Sequence, residues 1–132
     1  MVNTETLVND GEKLFRRLDQ EQNLTVDGAF WTNIREPEAP RLKLLIKQLP
    51  TVGPTKLYTT IQKLLKKVLV TSFTLEDVSL VDEEDPDVRA LRAVAGNSPL
   101  LTMIFPNLPN TGGATAYVYR LAPKAKTRRS SS

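Results

Sequence analysis

The amino-acid sequence predicts a single α+β domain, in which helices pack on a mixed, mainly antiparallel sheet. Apolar residues recur at helical spacing in some segments and alternate with polar residues at a period of two in others, in the order α-β-β-α-β-α-β-β. A chain of 132 residues with 40% apolar and 25% charged residues is also long enough to bury one core. We expect the domain to span residues 1–121, with its helices on one side of the sheet.

The first helix is predicted from about Glu5 to Gln22, because its apolar residues fall on one face at helical spacing. Gly11 lies on that face, where it either weakens the helix or lets a neighbouring element approach closely. The other residues of the face are Leu7, Val8, Leu14, Phe15 and Leu18.

Residues 26–34 and 42–47 have a period of two and are predicted to form a strand–turn–strand hairpin. Prolines and acids between Arg35 and Pro40 prevent regular pairing in the turn. One face of the hairpin is expected to meet the helices through Phe30, Ile34, Leu42, Leu44 and Ile46. The opposite face carries the candidate binding residues Trp31, Asn33, Lys43 and Lys47.

A second helix is predicted to begin near Pro54. The N–H groups of the first helical turn have no partner within the helix, so the missing N–H of a proline is harmless there. Its apolar stripe runs through residues 57–68, and a short strand is predicted at 77–81. The outward side of this helix has the charge typical of a solvated face, with Lys56, Lys63 and Lys67.

The third helix is predicted to begin at an acidic cluster, since five of the six residues from Asp82 to Asp87 are acidic. Asp85 is the expected N-cap, Pro86 takes the first helical position, and Gly96 ends the helix. The positive end of the helix dipole also stabilises carboxylates that lie near the start of the helix. The cluster is therefore interpreted as a helix start.

A metal site in the same cluster is the alternative interpretation. An EF-hand loop is excluded, because its glycine and glutamate positions would hold Asp87 and Ala93. A magnesium-dependent hydrolase stays open as a second alternative function, because carboxylates at a strand end can hold Mg²⁺. Its candidate ligands are Asp82, Glu84 and Asp85.

Two more strands are predicted at 100–105 and 114–121, joined by a turn cluster that contains Gly112 and Gly113. The first is a short apolar run and is a candidate for a buried strand. Residues 122–132 are predicted to be a disordered basic tail. This tail holds four cations and no acid, so the formal charge of +3 becomes −1 for residues 1–121. The tail cations are Lys124, Lys126, Arg128 and Arg129.

The composition excludes several kinds of catalytic site. The chain contains no Cys and no His, which removes thiolate and imidazole as nucleophiles, bases and metal ligands. A metal-dependent nuclease needs neither residue, but it needs acids and a lysine at suitable positions on adjacent strands. Glu36 and Glu38 stand among prolines, and no acid lies two residues before Lys43. We expect a protein that is not an enzyme and has no cofactor or metal site.

Two kinds of partner are compatible with these features. The surface around Trp31 favours a second copy or another protein, which indicates an interaction or accessory domain. Alternatively, Trp31 stacks a base between Lys43 and Lys47, and the basic tail adds affinity for nucleic acid. The polar N-terminus and the lack of a long apolar run predict a cytoplasmic protein without a membrane partner.

Several segments together resemble a family of small bacterial proteins of unknown function. They are the AFW strand at 29–31, the GPTKLYTTIQKLL helix at 53–65, the DPDVRAL helix start at 85–91 and the AYVYRL strand at 116–121. The resemblance covers about Gly11 to Leu121 and implies a bacterial origin. It implies no activity, cofactor or site residue.

Overall fold

The computed structural model describes residues 4–34, 40–96, 98–106, 108 and 115–123. Its helices are α1 (Thr4–Asp19), α2 (Leu49–Val52), α3 (Pro54–Lys67) and α4 (Pro86–Ala95), with a 3-10 turn at Leu75–Asp77. Its strands are β1 (Val26–Thr32), β2 (Arg41–Ile46), β3 (Val78–Val81), β4 (Leu100–Phe105) and β5 (Ala116–Leu121). The α+β class is confirmed, with α2 and the 3-10 turn as additions to the predicted order. Gly112, Gly113 and residues 124–132 of the predicted tail lie outside the described residues.

The five strands form one mixed sheet in the order β3-β2-β1-β5-β4. Only the β2–β3 pair is parallel, and β1 pairs antiparallel with both β2 and β5, as β5 does with β4. The parallel pair requires a crossover, which α2 and α3 supply between β2 and β3. Among the described helices, none has the length and apolarity needed to cross a membrane.

Helices cover both faces of this sheet, so the expectation that they lie on one side is wrong. Residues of α1 and α3 pack on one face with Trp31, Leu42 and Leu44. Residues of α4 pack on the other face, where they meet Phe30 and Leu45. The physical reason is that β1 and β2 are apolar on both sides, and a sheet with two apolar faces needs a cover on each.

The hairpin faces also differ from the predicted ones at Phe30. In the β1–β2 pairing, Trp31 lies opposite Leu42 and Phe30 lies opposite Lys43. Directly opposed residues point to the same face of a sheet, so Trp31 joins the α1–α3 side and Phe30 joins the α4 side. Alternation within each strand separates its two faces. It does not show which face of β1 lies on the same side as which face of β2, because that depends on the register set by the turn.

Gly11 allows α1 to approach the sheet closely. A Cβ atom at this position would overlap Tyr119 Oη and would lie 2.6 Å from Trp31 Nε1, which is closer than non-bonded atoms approach. Tyr119 Oη also donates a hydrogen bond to the carbonyl of Val8 in α1. Of the two interpretations of Gly11, close approach is therefore the one that the structure bears out.

Candidate functional site

Trp31, the central residue of the predicted binding face, lies in the core. Its side chain is fully buried, and its Nε1 donates a hydrogen bond of 2.9 Å to Tyr119 Oη. The ring of Phe73 meets the indole edge-on at 5.1 Å between centroids. An indole with its polar atom paired and its faces covered cannot stack a base unless the core opens.

Lys43 lies on the opposite side of the sheet, between β2 and the start of α4. Its Nζ is 2.9 Å from Asp85 Oδ1 and 2.8 Å from Asp87 Oδ2, and these three side chains are only 14%, 12% and 14% exposed. Burial alone would lower the pKa of Lys43, but hydrogen bonds and charge from Asp87 and Asp85 outweigh it. The pKa of Lys43 is therefore raised above its ordinary 10.5.

The four candidate binding residues do not form one exposed surface. Asn33 is partly buried at the end of β1 and has a φ of 56°, whereas Lys47 is exposed just after β2. Trp31 and Lys43 point to opposite faces of the sheet. The expectation of a single face that holds an aromatic ring between two lysines is therefore not met, because the two strands are covered on both sides.

Carboxylates of the acidic cluster accept hydrogen bonds from backbone N–H groups of the same segment. Asp85 accepts hydrogen bonds from the backbone N–H groups of Asp87 and Val88, which confirms it as the N-cap of α4. Asp82 Oδ1 accepts from the N–H of Glu84 at 2.9 Å. In the described part of the chain, no three acidic side chains are grouped so that they could hold a metal ion. Glu36 and Glu38 lie outside the described residues.

The ion pairs of this cluster are the contacts that sequence reasoning missed. Lys43 stands in the middle of the apolar strand RLKLLI, where an unpaired ammonium group would be costly. A lysine within an apolar strand is therefore the feature of the sequence that could have predicted a facing acid. Arg92 makes a second such contact, 3.0 Å from Glu83.

A cleft opens at the carboxyl ends of the parallel strands β2 and β3. Its volume is about 650 Å³, and it is lined by the last residues of both strands, by the α2–α3 segment and by Tyr58. The acids at its rim are Asp27, Asp82 and Glu83, with Lys47 beside them. We call this feature the β2–β3 cleft. Sequence reasoning did not identify it, because it is formed by segments distant in the chain.

The outermost strand β4 is exposed, so the expectation that residues 100–105 are a buried strand is wrong. Leu101, Met103 and Ile104 are 61%, 44% and 42% exposed. β4 pairs with β5 alone among the described strands, and it is the last strand of the sheet. An apolar run has the same appearance in sequence whether its strand is central or at an edge.

No protein-family model, curated protein or solved structure matches this chain. The resemblance to a bacterial family therefore stays a prediction.

Proposed function

We propose that this chain is a non-catalytic interaction domain that self-associates through β4. The observation that carries the proposal is the exposure of three large apolar side chains, Leu101, Met103 and Ile104, on one edge strand. Met103 lies opposite Val118 on the α4 side of the sheet and Ile104 lies opposite Tyr117 on the α1 side, so a partner at this edge can contact apolar surface on both faces. Complete burial of such a side chain from full exposure is worth about 1.5–3 kcal/mol, and a partner could supply roughly half of that for each of these partly exposed side chains. An edge that leaves them in water gains free energy when a partner covers it.

The backbone of β4 supports the same conclusion. An edge strand presents N–H and C=O groups that can pair with another strand, and proteins usually block such edges with charges, proline or a covering element. β4 contains neither a charge nor a proline in its sequence LLTMIF. Within the described residues, its only strand partner is β5. Within the described residues, β4 therefore lacks the charge and proline that commonly prevent association.

A second copy of the chain is the partner that fits this strand best. In a two-fold dimer each β4 contacts an identical β4, so an uncharged apolar strand faces another uncharged apolar strand. Such a contact buries no unpaired side-chain charge. Thr102 has a φ of 39°, which interrupts the extended backbone, so we expect apolar contact to contribute more than a long strand ladder.

Light scattering coupled to size exclusion tests the proposal on the wild type and on Ile104→Lys. We expect a dimer for the wild type and a monomer for the variant, because a lysine would bring two like charges together in the contact. Leu69→Lys is the matched control, since Leu69 is an equally apolar side chain that is 79% exposed in the loop after α3 and is not part of β4. A monomeric wild type, or a dimer that Ile104→Lys leaves intact, would overturn the proposal.

A further inference from the structure

We propose that the β2–β3 cleft binds a small organic cation with an apolar body, such as an arylalkylamine. This site is separate from β4 and goes beyond self-association. The cleft lies where β2 ends at Ile46 and β3 ends at Val81. The carboxyl ends of parallel strands open towards the same edge, and ligands of sheets with parallel strands commonly bind there. A volume of about 650 Å³ is also within the range of small-molecule sites.

The walls of the cleft favour an apolar ligand body. Leu49, Leu80 and Val81 line it and are only partly buried within the protein, so they leave apolar surface for a ligand. Tyr58 adds an aromatic ring, and its Oη accepts a hydrogen bond of 3.0 Å from the N–H of Leu80. This bond holds the ring at the cleft and leaves the hydroxyl proton of Tyr58 available to donate.

The charges at the rim favour a cationic group on that ligand. Three carboxylates line the cleft, and Lys47 is the one cation among the lining residues of the described chain. Glu83 is already paired with Arg92 at 3.0 Å, so the carboxylates whose charge remains for a ligand are Asp27 and Asp82. Asp82 Oδ1 also accepts the N–H of Glu84, which holds this carboxylate in place without neutralising it. An ammonium group that reaches either carboxylate makes a charge-assisted hydrogen bond. A nearby Tyr58 ring also attracts a cation.

An anionic ligand does not fit this rim, because three carboxylates and one lysine line the cleft and leave it with a net negative charge. A neutral apolar ligand would use the walls alone and would be insensitive to the rim charges. The cation is therefore the ligand class that uses both features of the cleft, and the dependence of its affinity on Asp27 and Asp82 distinguishes it from the other two.

The test uses the full chain and compares phenethylamine with the neutral 2-phenylethanol by two-dimensional NMR titration. We expect phenethylamine to shift the amide signals of Ile46, Leu80 and Val81, with an affinity about tenfold above that of 2-phenylethanol. A tenfold ratio corresponds to about 1.4 kcal/mol, which is the size expected of one hydrogen bond to a charged group.

Two variants make the result specific. Asp82→Asn and Asp27→Asn keep the shape of the side chain and an acceptor oxygen, so the fold is expected to persist, and each should weaken phenethylamine several-fold. Glu76→Gln is the matched control, because Glu76 is exposed and does not line the cleft. Equal affinities for the two probes, shifts elsewhere in the chain, or unchanged binding in both Asp variants would overturn the proposal. None of these outcomes bears on the oligomeric state.

Discussion

Lys43 Nζ lies 2.8 Å from Asp87 Oδ2, and this ion pair joins the middle of β2 to the first turn of α4. Asp85 binds the same ammonium group, so one cation holds two largely buried carboxylates. The contact fixes α4 on its face of the sheet. It also accounts for two of the acids that could otherwise be assigned to a catalytic site.

Replacing Lys43 by methionine should lower the free energy of unfolding by about 3 kcal/mol, because it leaves buried carboxylates without their cation. Urea unfolding followed by circular dichroism measures the change. Lys47→Met is the control, since Lys47 is exposed and its loss should change stability by no more than about 0.5 kcal/mol. A similar small effect for both variants would show that the buried ion pair adds little.

Stability should also fall at alkaline pH. The pKa of Lys43 is raised by its two carboxylates, and burial raises the pKa of Tyr119 above its ordinary 10.0. Both groups contribute stability that is fully present below the unfolded pKa values and is lost as the pH rises through the folded ones. We expect Lys43→Met to lose less stability than the wild type as the pH rises from about 10 to about 12, because the loss begins near the ordinary pKa of lysine and continues up to the raised one. Equal losses in parallel urea titrations would contradict this assignment.

Two substitutions at Asp85 separate its roles as a cap and as an ion-pair partner. Asp85→Asn keeps a side-chain oxygen for the N–H groups at the start of α4 but removes the charge that faces Lys43. Asp85→Ala removes both contacts, and we expect it to cost about 1 kcal/mol more than Asp85→Asn, the value of a lost cap. Thermal and urea unfolding of both variants test this, and equal costs would mean that the cap contributes nothing.

Gly11→Ala should destabilise the protein although alanine is the better helix former. The added Cβ would overlap Tyr119 Oη and Trp31 Nε1, and such overpacking costs about 1–3 kcal/mol, against a gain in helix propensity of about 1 kcal/mol. Asn9→Ala, at an exposed position of the same helix, should be close to neutral. If Gly11→Ala were as stable as the wild type, α1 could not be packed as closely as described.

Local features of the fold could be predicted from sequence, because they depend on neighbouring residues. The Asp85–Pro86 helix start and the alternation of β1 and β2 are of this kind. The side of the sheet that Phe30 occupies depends on how β1 and β2 are aligned, which alternation within one strand does not specify.

The sites depend on still more distant pairings. Lys43 and Asp85 are 42 residues apart, and the β2–β3 cleft needs the parallel pairing of two strands separated by a crossover. The apolar run at 100–105 carries no local sign that its strand is the last of the sheet. The exposure of β4, on which the proposed function rests, could therefore not be predicted from the sequence.

Amide hydrogen exchange of the 100–105 segment, measured at low and high protein concentration, tests self-association through β4 most directly. We predict that exchange in this segment slows as the concentration rises, while exchange in α3, which packs against β1 and β2, stays the same. Exchange in residues 100–105 that is independent of concentration, in a sample that does associate, would contradict the assignment of β4 as the contact.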